Sequence, residues 1–329
     1  MKTSALLVTA KNHISLGEVH LPDPAAGEVL VKAAFTSISP GTELRCMRGE
    51  QDGLPAYPFI PGYSLVGTVA AAGAGVTLAI GARVFCGGTS KANVNTCWGA
   101  HIAHALQTEA DLIPLPDDVP LEAAALCRLA AIAYRGVRLS RPLPHESVVV
   151  IGLGPIGMFS ARLFHAAGAR VLGVDRLAER VRLLQAQGVQ AVVLEDRLEA
   201  AVKRVFPAGA DVVVDATGAA PVALEIGALG KDLPWDDTIA PSTRFVIQGS
   251  YPTHLTLDYR DVFSKEATVL FPRHHKPADL RAVLDLLRRN RLEVADIIHG
   301  IYKPADAPAI YTQLREQPAS IMTALFKWN

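Results

Sequence analysis

The sequence has no excess of charge of either sign and no hydrophobic run long enough to cross a bilayer. Its 329 residues include 32 lysines and arginines and 32 aspartates and glutamates. A chain with this balance has no net field that would attract nucleic acid or an anionic membrane surface. The N-terminal stretch also lacks the hydrophobic core and cleavage site of a signal peptide. We therefore expect a small-molecule partner, no nucleic acid, no membrane and a cytoplasmic location.

Cysteine is scarce as well. The chain has 4 cysteines, at positions 46, 86, 97 and 127, and they are too few and too scattered for a disulfide framework. Charged residues make up only 19% of the chain and hydrophobic residues 50%. This composition is typical of a folded protein, and the length allows two domains with separate cores.

The pattern of elements changes along the chain. Residues 1 to about 110 contain short predicted strands punctuated by glycine and proline. From about 120 onward, predicted strands alternate with helices, which indicates a doubly wound parallel sheet. We predict an all-β lobe from 1–125 and 272–329, with the last strand, TALFKW, returning to it, and a dinucleotide-binding domain over 126–271.

The most informative segment is VVVIGLGPIG, residues 148–157. A buried strand over 148–151 leads into three glycines. Gly152 suits a tight turn, Gly154 allows a close approach to a pyrophosphate, and Gly157 allows the helix to pack on the sheet. The helix starting near Pro155 points its first amides, including that of Ile156, at the phosphates.

A second strand, Arg170 to Val174, leads to Asp175, which lies 18 residues after Gly157. A carboxylate at that offset accepts the ribose hydroxyls and repels a 2′-phosphate, so NAD is favoured. Arg176 keeps NADP possible. The alternatives are a structural glycine turn or a methyltransferase-type nucleotide site.

Several further motifs resemble the medium-chain dehydrogenase/reductase family over essentially the whole chain. They are ISPGTE (38–43), PGYSLVGTV (61–69), GARVF (81–85), DVVVDATG (ending at Gly218) and IIHGIYKPADAPAIYTQL near the end. The resemblance implies an α/β fold with a GroES-like β lobe and a doubly wound Rossmann domain. The resemblance also adds Ala216, Thr217 and Gly218 to the predicted cofactor contacts. Within the family, the chain looks most like the zinc-lacking branch, which contains the bacteriochlorophyllide a dehydrogenase-like proteins and the sugar or cyclitol dehydrogenases.

The chain departs from the zinc-dependent members at their metal ligands. Pro40 and the pair Tyr63–Ser64 stand at ligand positions, and Cys127 alone resembles the third ligand. A catalytic zinc needs three protein ligands. Cys86 and Cys97, 11 residues apart, do not supply the four ligands of a structural site. We therefore predict that both metals are absent.

Without zinc, another donor must stabilise charge on the substrate oxygen. Tyr63 is the first candidate because it stands at a ligand position; the alternative is a core aromatic. Thr42 matches the family hydroxyl that contacts the substrate oxygen, or it caps a helix. Glu43 matches an acidic residue that orients its neighbours.

Three further catalytic or pocket candidates lie close together in the sequence. Lys91 lies on a glycine- and asparagine-rich loop that borders the substrate in the family, or is simply exposed to solvent. His101 extends a proton relay, or is a hydrogen-bonded core histidine. Trp98 forms a pocket wall or a packing anchor.

Arg273, His274 and His275 are expected where the chain returns to the β lobe, in contact with substrate or cofactor, or as surface residues.

The resemblance implies hydride transfer between a nicotinamide and a secondary alcohol or ketone, on a polyol, sugar, cyclitol or tetrapyrrole side chain. The alternatives are an enoyl or quinone reductase and a non-catalytic NAD(H)-binding protein. It also implies a homodimer or homotetramer, with the segment RFVIQGS (244–250) similar to the strand that pairs across a two-fold axis.

Overall fold

The computed structural model describes residues 1–235, 242–251 and 254–328. The chain forms two compact units, Met1–Arg128 with Glu293–Asn329, and Leu129–Leu292. The strands are β1 (Lys2–Ala10), β2 (His13–His20), β3 (Glu28–Ser37), β4 (Phe59–Ile60), β5 (Leu65–Ala72), β6 (Arg83–Cys86), β7 (Asn95–Thr96), β8 (His104–Thr108), β9 (Ile113–Pro114), β10 (Ser147–Ile151), β11 (Arg170–Asp175), β12 (Gln190–Val193), β13 (Val212–Asp215), β14 (Arg244–Ile247), β15 (Thr268–Leu270), β16 (Ile298–Tyr302) and β17 (Thr323–Lys327). The α-helices are α1 (Pro40–Arg48), α2 (Leu121–Ser140), α3 (Pro155–Ala166), α4 (Ala178–Gln185), α5 (Leu198–Lys203), α6 (Ala220–Glu225), α7 (Tyr259–Phe263), α8 (Pro277–Arg288) and α9 (Ala307–Glu316).

The first unit is built from two sheets. One has the strand order β16-β17-β3-β5-β6-β9, with β8 paired to β3, and the other has the order β2-β1-β4-β7. Buried apolar side chains from both sheets, such as Leu6, Ile60 and Phe326, share one core. The final strand β17 pairs antiparallel with β3, which confirms the predicted return of the chain to this lobe.

The second unit holds one parallel sheet with the order β12-β11-β10-β13-β14-β15. All residues of β10 are buried, as expected for a parallel strand with both faces covered. The first strand of the unit, β10, lies between β11 and β13, so the strand order reverses there. Ligands of such sheets bind at the carboxyl ends of the strands beside this reversal. The predicted fold class, a GroES-like lobe with a Rossmann domain, is confirmed.

The second unit extends further along the chain than the predicted limit between residues 271 and 272. Helix α8 buries Leu280 and Val283, and the fully buried Asp279 accepts a hydrogen bond of 2.6 Å from Arg138 on α2. These contacts keep the segment with the parallel sheet until Leu292. Arg273, His274 and His275 therefore lie within the second unit and not at the return to the β lobe.

Strand β14 corrects a second expectation. It pairs with β13 on one side and with β15 on the other, so the segment RFVIQGS lies inside the sheet. An interior strand has no free edge for pairing across a two-fold axis. The free edge at this end of the sheet belongs to β15.

Among the residues that the structure describes, no helix has both the length and the hydropathy needed to span a membrane.

Candidate active site

The three predicted glycines form the turn between β10 and α3, each for a different reason. Gly152 has a φ of +83°, which a residue with a Cβ rarely adopts. A Cβ on Gly157 would lie 1.7 Å from the Gly152 carbonyl oxygen, so only glycine lets the helix pack on the turn. At Gly154, by contrast, a Cβ would meet no atom within 4 Å.

Gly154 is the residue before the first turn of α3, and no side chain caps that end of the helix. Pro155 starts the helix and has no N–H, so Ile156 and Gly157 carry the first amides of this turn. Uncapped amides at a helix N-terminus bind phosphate oxygens. The turn therefore fits the pyrophosphate of a dinucleotide.

Asp175 ends β11 next to this turn, and its side chain is held in place by two amides. One carboxylate oxygen accepts from the amide of Leu153 at 2.6 Å, and the other accepts from that of Leu177 at 2.9 Å. Arg180 lies 3.6 Å from the same carboxylate, and the Arg176 side chain is exposed. Each carboxylate oxygen has a second lone pair, so both can still accept from ribose hydroxyls.

The predicted residues Ala216, Thr217 and Gly218 form the turn after β13. One oxygen of the fully buried Asp215 accepts from the Thr217 amide at 2.8 Å and from its hydroxyl at 2.6 Å. The other oxygen accepts from the Tyr251 hydroxyl. Burial and the adjacent Asp215 raise the pKa of Tyr251, so its proton stays on this bond. Sequence reasoning found the turn but missed Asp215 and Tyr251, which hold it.

In the first unit, Tyr63 lies in a cluster of hydroxyl groups. Its side chain is 7% exposed, its hydroxyl donates to the Ser39 hydroxyl, and the Thr42 side chain also interacts with it. Ser39 and Thr42 flank the start of α1, which begins at Pro40. Burial raises the pKa of the Tyr63 phenol, although the bond to Ser39 opposes the shift. The cluster therefore presents protonated hydroxyl groups at neutral pH.

Arg128 covers Tyr63 and was missed by sequence reasoning. Its guanidinium carbon lies 4.6 Å from the centre of the Tyr63 ring, and Nη1 donates to the Tyr63 carbonyl oxygen. Trp98 meets the Tyr63 ring edge-on, with ring centres 5.4 Å apart. The only sequence signal was the position of Arg128 directly after Cys127, in an otherwise apolar helical segment.

Glu43 and His101 form a buried network behind the start of α1. One oxygen of Glu43 accepts from the Ser39 amide at 2.7 Å, and the other accepts from the Tyr311 hydroxyl and bonds to His101 Nε2 at 2.9 Å. His101 Nδ1 bonds to the Thr36 hydroxyl at 2.8 Å. His101 is fully buried and Glu43 nearly so. The network connects to Tyr63 through Ser39, and the catalytic roles of both residues stay predictions.

Lys91 does not join these groups. Its ammonium group lies 2.7 Å from the Glu28 carboxylate, and 51% of its side chain is exposed. The structure thus gives Lys91 a surface ion pair on the β lobe, and its catalytic role stays a prediction. In the second unit, Arg273 and His274 are exposed, and the His274 and His275 rings meet edge-on with centres 6.0 Å apart.

The residues at the expected metal-ligand positions do not fit zinc. Proline has no ligating side chain, and the Ser64 hydroxyl donates to the Ala125 carbonyl oxygen at 2.6 Å. The Cys127 thiol is fully buried, and burial raises its pKa, which opposes the thiolate that zinc binds. Within the described ranges, no three His, Cys, Asp or Glu side chains lie together as a metal would require.

The cysteines expected in a structural zinc lobe have other contacts. Cys86 Sγ donates to the Gly88 carbonyl oxygen at 3.3 Å, and Cys97 Sγ lies 3.8 Å from Cys46 Sγ. All four cysteines of the chain are free and buried.

Comparisons with known proteins cover both units of the chain. Residues 25–117 match the alcohol dehydrogenase GroES-like domain, and residues 155–289 match the zinc-binding dehydrogenase model. The L-threonine 3-dehydrogenase of Mesorhizobium japonicum is 30% identical over 294 residues, covering 80% of this chain and 81% of that protein. The 2-desacetyl-2-hydroxyethyl bacteriochlorophyllide A dehydrogenase of Cereibacter sphaeroides is 24% identical over 327 residues, covering 97% of this chain and 96% of that one.

A solved short chain alcohol dehydrogenase from E. coli CFT073, complexed with NADH, has a TM-score of 0.85 at 19% identity and 99% coverage of each chain. At that identity the likeness concerns the fold. Together the matches define a class, the two-domain alcohol dehydrogenase-like proteins. The chain belongs to the medium-chain dehydrogenase/reductase family and is an oxidoreductase.

Proposed function

We propose that this protein is a zinc-independent, NAD-dependent dehydrogenase of secondary alcohols, acting on a polyol, sugar, cyclitol or tetrapyrrole side chain. The observation that carries the proposal is the hydroxyl cluster of Tyr63, Ser39 and Thr42. In it Tyr63, like the neighbouring Pro40, takes a position where the family resemblance places a metal ligand. Two relatives support an alcohol substrate, since their names denote dehydrogenases of L-threonine and of a hydroxyethyl bacteriochlorophyllide.

The second unit supplies the cofactor contacts in this proposal. The first amides of α3, from Ile156 and Gly157, bind the pyrophosphate beside Gly154. Asp175 accepts the ribose hydroxyls and disfavours a 2′-phosphate, which supports NAD as the preferred cofactor. Arg176 and Arg180 lie close enough in the chain to weaken that preference without reversing it.

The first unit stabilises the charge on the substrate oxygen and accepts its proton. The nicotinamide, when bound, supplies or accepts the hydride. Tyr63 stays protonated because burial raises its pKa, so it acts as a hydrogen-bond donor and not as a general base. Thr42 contacts the substrate oxygen and passes its proton into the cluster. Glu43 positions Ser39 by accepting from its amide.

The test is a substrate panel with the purified protein and both pyridine nucleotides. Oxidation of secondary alcohols, faster with NAD than with NADP, supports the proposal. Reduction of enones without alcohol oxidation would identify an enoyl or quinone reductase. Tight NADH binding without turnover of any compound would identify a binding protein. Either of these two results would contradict the proposed dehydrogenase.

We also propose that the protein is a homodimer or homotetramer assembled through the β15 edge. Among the described strands β15 is the last of the sheet and pairs on one side only, and Phe271, which follows it directly, is 62% exposed. An unpaired edge beside an exposed aromatic side chain favours pairing with a second chain. Light scattering of the purified protein tests this, and a monomer at micromolar concentration would contradict it. The cytoplasmic location stays a prediction.

A further inference from the structure

Arg128 has a geometry that an ordinary structural arginine does not need. The guanidinium carbon lies over the Tyr63 ring, and Nη1 donates to the carbonyl oxygen of the same residue. A Cβ on Gly87 would lie 3.1 Å from Nη1, so the glycine leaves room for the cation. The Nε atom is buried and has no hydrogen-bond partner. Nη2 has no partner among the described residues and is the donor left for a ligand.

The charge of Arg128 also has no carboxylate counterion among the described residues. Its electrostatic neighbours are the Tyr63 phenol and the Cys86 thiol, and burial raises the pKa of Cys86 to about 11. Both groups are therefore neutral at physiological pH. Burial without a counterion lowers the pKa of Arg128, yet a guanidinium stays charged.

Arg128 is partly buried, and a charge held partly away from water without a counterion favours the binding of an anion. The cation follows Cys127 in the sequence and lies over the Tyr63 ring, and both residues are at positions where the family resemblance places a metal ligand. A fixed positive charge thus lies beside the hydroxyl cluster, where a metal ion would otherwise supply it. Unlike a metal, it needs no thiolate or imidazole ligands.

We propose that Arg128 is the catalytic electrophile: its guanidinium binds the substrate oxygen and stabilises the negative charge that develops there. This inference rests on the proposed dehydrogenase function. In the oxidation, the hydroxyl O–H bond breaks and its proton passes through Thr42 and the cluster to solvent. The carbinol C–H bond breaks with its electron pair leaving as hydride to the oxidised pyridine nucleotide, and the C=O bond forms. Arg128 carries no proton in either direction.

The experiment separates the charge of Arg128 from its bond to Tyr63. Arg128→Gln keeps an amide donor for the Tyr63 carbonyl and loses the charge. Arg128→Lys keeps a charge without the flat guanidinium, and Arg128→Ala leaves space that added guanidinium can fill. Arg135→Ala is the matched control on α2, because Arg135 makes no ion pair among the described side chains. Each variant is checked by thermal unfolding and by NADH binding.

We expect Arg128→Gln to lower kcat about 100-fold or more with NADH binding unchanged, as for loss of a charge-stabilising donor. Guanidinium should restore part of the kcat of Arg128→Ala, and Arg128→Lys should lie between the wild type and Arg128→Gln. A purely structural role would lower Tm without lowering kcat and would give no rescue. If the wild type oxidises alcohols and Arg128→Gln has a normal kcat, the inference about Arg128 is overturned while the proposed function stands.

A second readout does not depend on turnover. Acetate, whose carboxylate oxygen stands in for the alkoxide, is titrated calorimetrically into wild type, Arg128→Gln and Arg135→Ala. We expect one acetate to bind to the wild type and to Arg135→Ala but not to Arg128→Gln. If the wild type oxidises no alcohol, the proposed function fails, and the acetate result still decides whether Arg128 is an anion site. Equal binding to all three proteins, or to none, would overturn the inference.

Discussion

The Arg128 guanidinium carbon lies over the Tyr63 ring, 4.6 Å from its centre, and Nη1 donates to the carbonyl oxygen of the same residue. Both side chains belong to the first unit, and Tyr63 also donates to Ser39 at the start of α1. A cation, a phenol and two aliphatic hydroxyls therefore share one location. In the proposed mechanism this set supplies a positive charge and a path for the proton, the two functions that a catalytic zinc site has in alcohol oxidation.

Tyr63→Phe should lower kcat about 100-fold, because it removes one hydrogen-bond donor from the cluster. NADH binding should not change, since the cofactor contacts lie in the other unit. The exposed Tyr259→Phe is the matched control. Steady-state kinetics and NADH fluorescence measure both effects, and an unchanged kcat would remove Tyr63 from the mechanism.

The pH dependence of the wild type gives a separate prediction for the same residue. Burial raises the pKa of Tyr63 above its ordinary value of 10.0, so the phenol stays protonated as the pH rises toward that value. We therefore expect no ionisation of Tyr63 in the kcat profile between about pH 7 and pH 10. A basic limb in that range that disappears in Tyr63→Phe would contradict the donor role.

Asp175→Ala should weaken NADH binding more than NADPH binding. The substitution removes the acceptor of the ribose hydroxyls and also the charge that disfavours a 2′-phosphate. The amides of Leu153 and Leu177 lose their partner too, so Asp175→Asn is the variant that keeps one acceptor. Dissociation constants for both nucleotides decide the matter, and an equal loss for both would refute the cofactor assignment.

The two glycines at the start of α3 predict opposite outcomes for the same substitution. Gly154→Ala places its Cβ in open space, so the fold should persist while the pyrophosphate is obstructed and NADH binding falls. Gly157→Ala would place its Cβ 1.7 Å from the Gly152 carbonyl oxygen and should destabilise the protein by about 1–3 kcal/mol or more. Thermal unfolding and NADH titration of both variants separate these effects. A stable Gly154→Ala that binds NADH normally would show that the phosphates do not approach this residue.

The turn around these glycines was predictable because its requirements are local. Spacing in the sequence fixes the strand, the turn, the helix and Asp175, and the alternation of strands and helices fixes the parallel sheet. The structure adds the supports that come from distant segments, such as Tyr251 on Asp215 and Tyr311 on Glu43. Those contacts depend on the tertiary fold, so no local sequence pattern predicts them.

The contacts of Arg128 were equally unpredictable from the sequence. Its sequence context is an apolar helix, which gives no sign that the side chain turns onto Tyr63 and Gly87. The expectation that the segment RFVIQGS pairs across a two-fold axis does not fit its position between β13 and β15, because the sequence of β14 is apolar whether it lies inside the sheet or at its edge. Strand β15, only three residues long, carried too weak a signal to be recognised as the outer neighbour.

The buried network behind α1 should contribute to stability more than to the chemical step. Tyr311→Phe removes one donor from the Glu43 carboxyl group, which should cost about 1–3 kcal/mol in the free energy of unfolding. Tyr302→Phe is the control, since Tyr302 is not fully buried. Chemical unfolding measures the difference, and a loss of kcat in Tyr311→Phe without loss of stability would assign this network a catalytic role instead.

Metal analysis of the active enzyme tests the central claim most directly. The purified protein is assayed for alcohol oxidation with NAD before and after exhaustive chelation, with its zinc content measured by elemental analysis at each stage. We predict far less than one zinc per chain and the same kcat after chelation. Stoichiometric zinc, with activity that is lost on chelation and restored by zinc, would contradict the account.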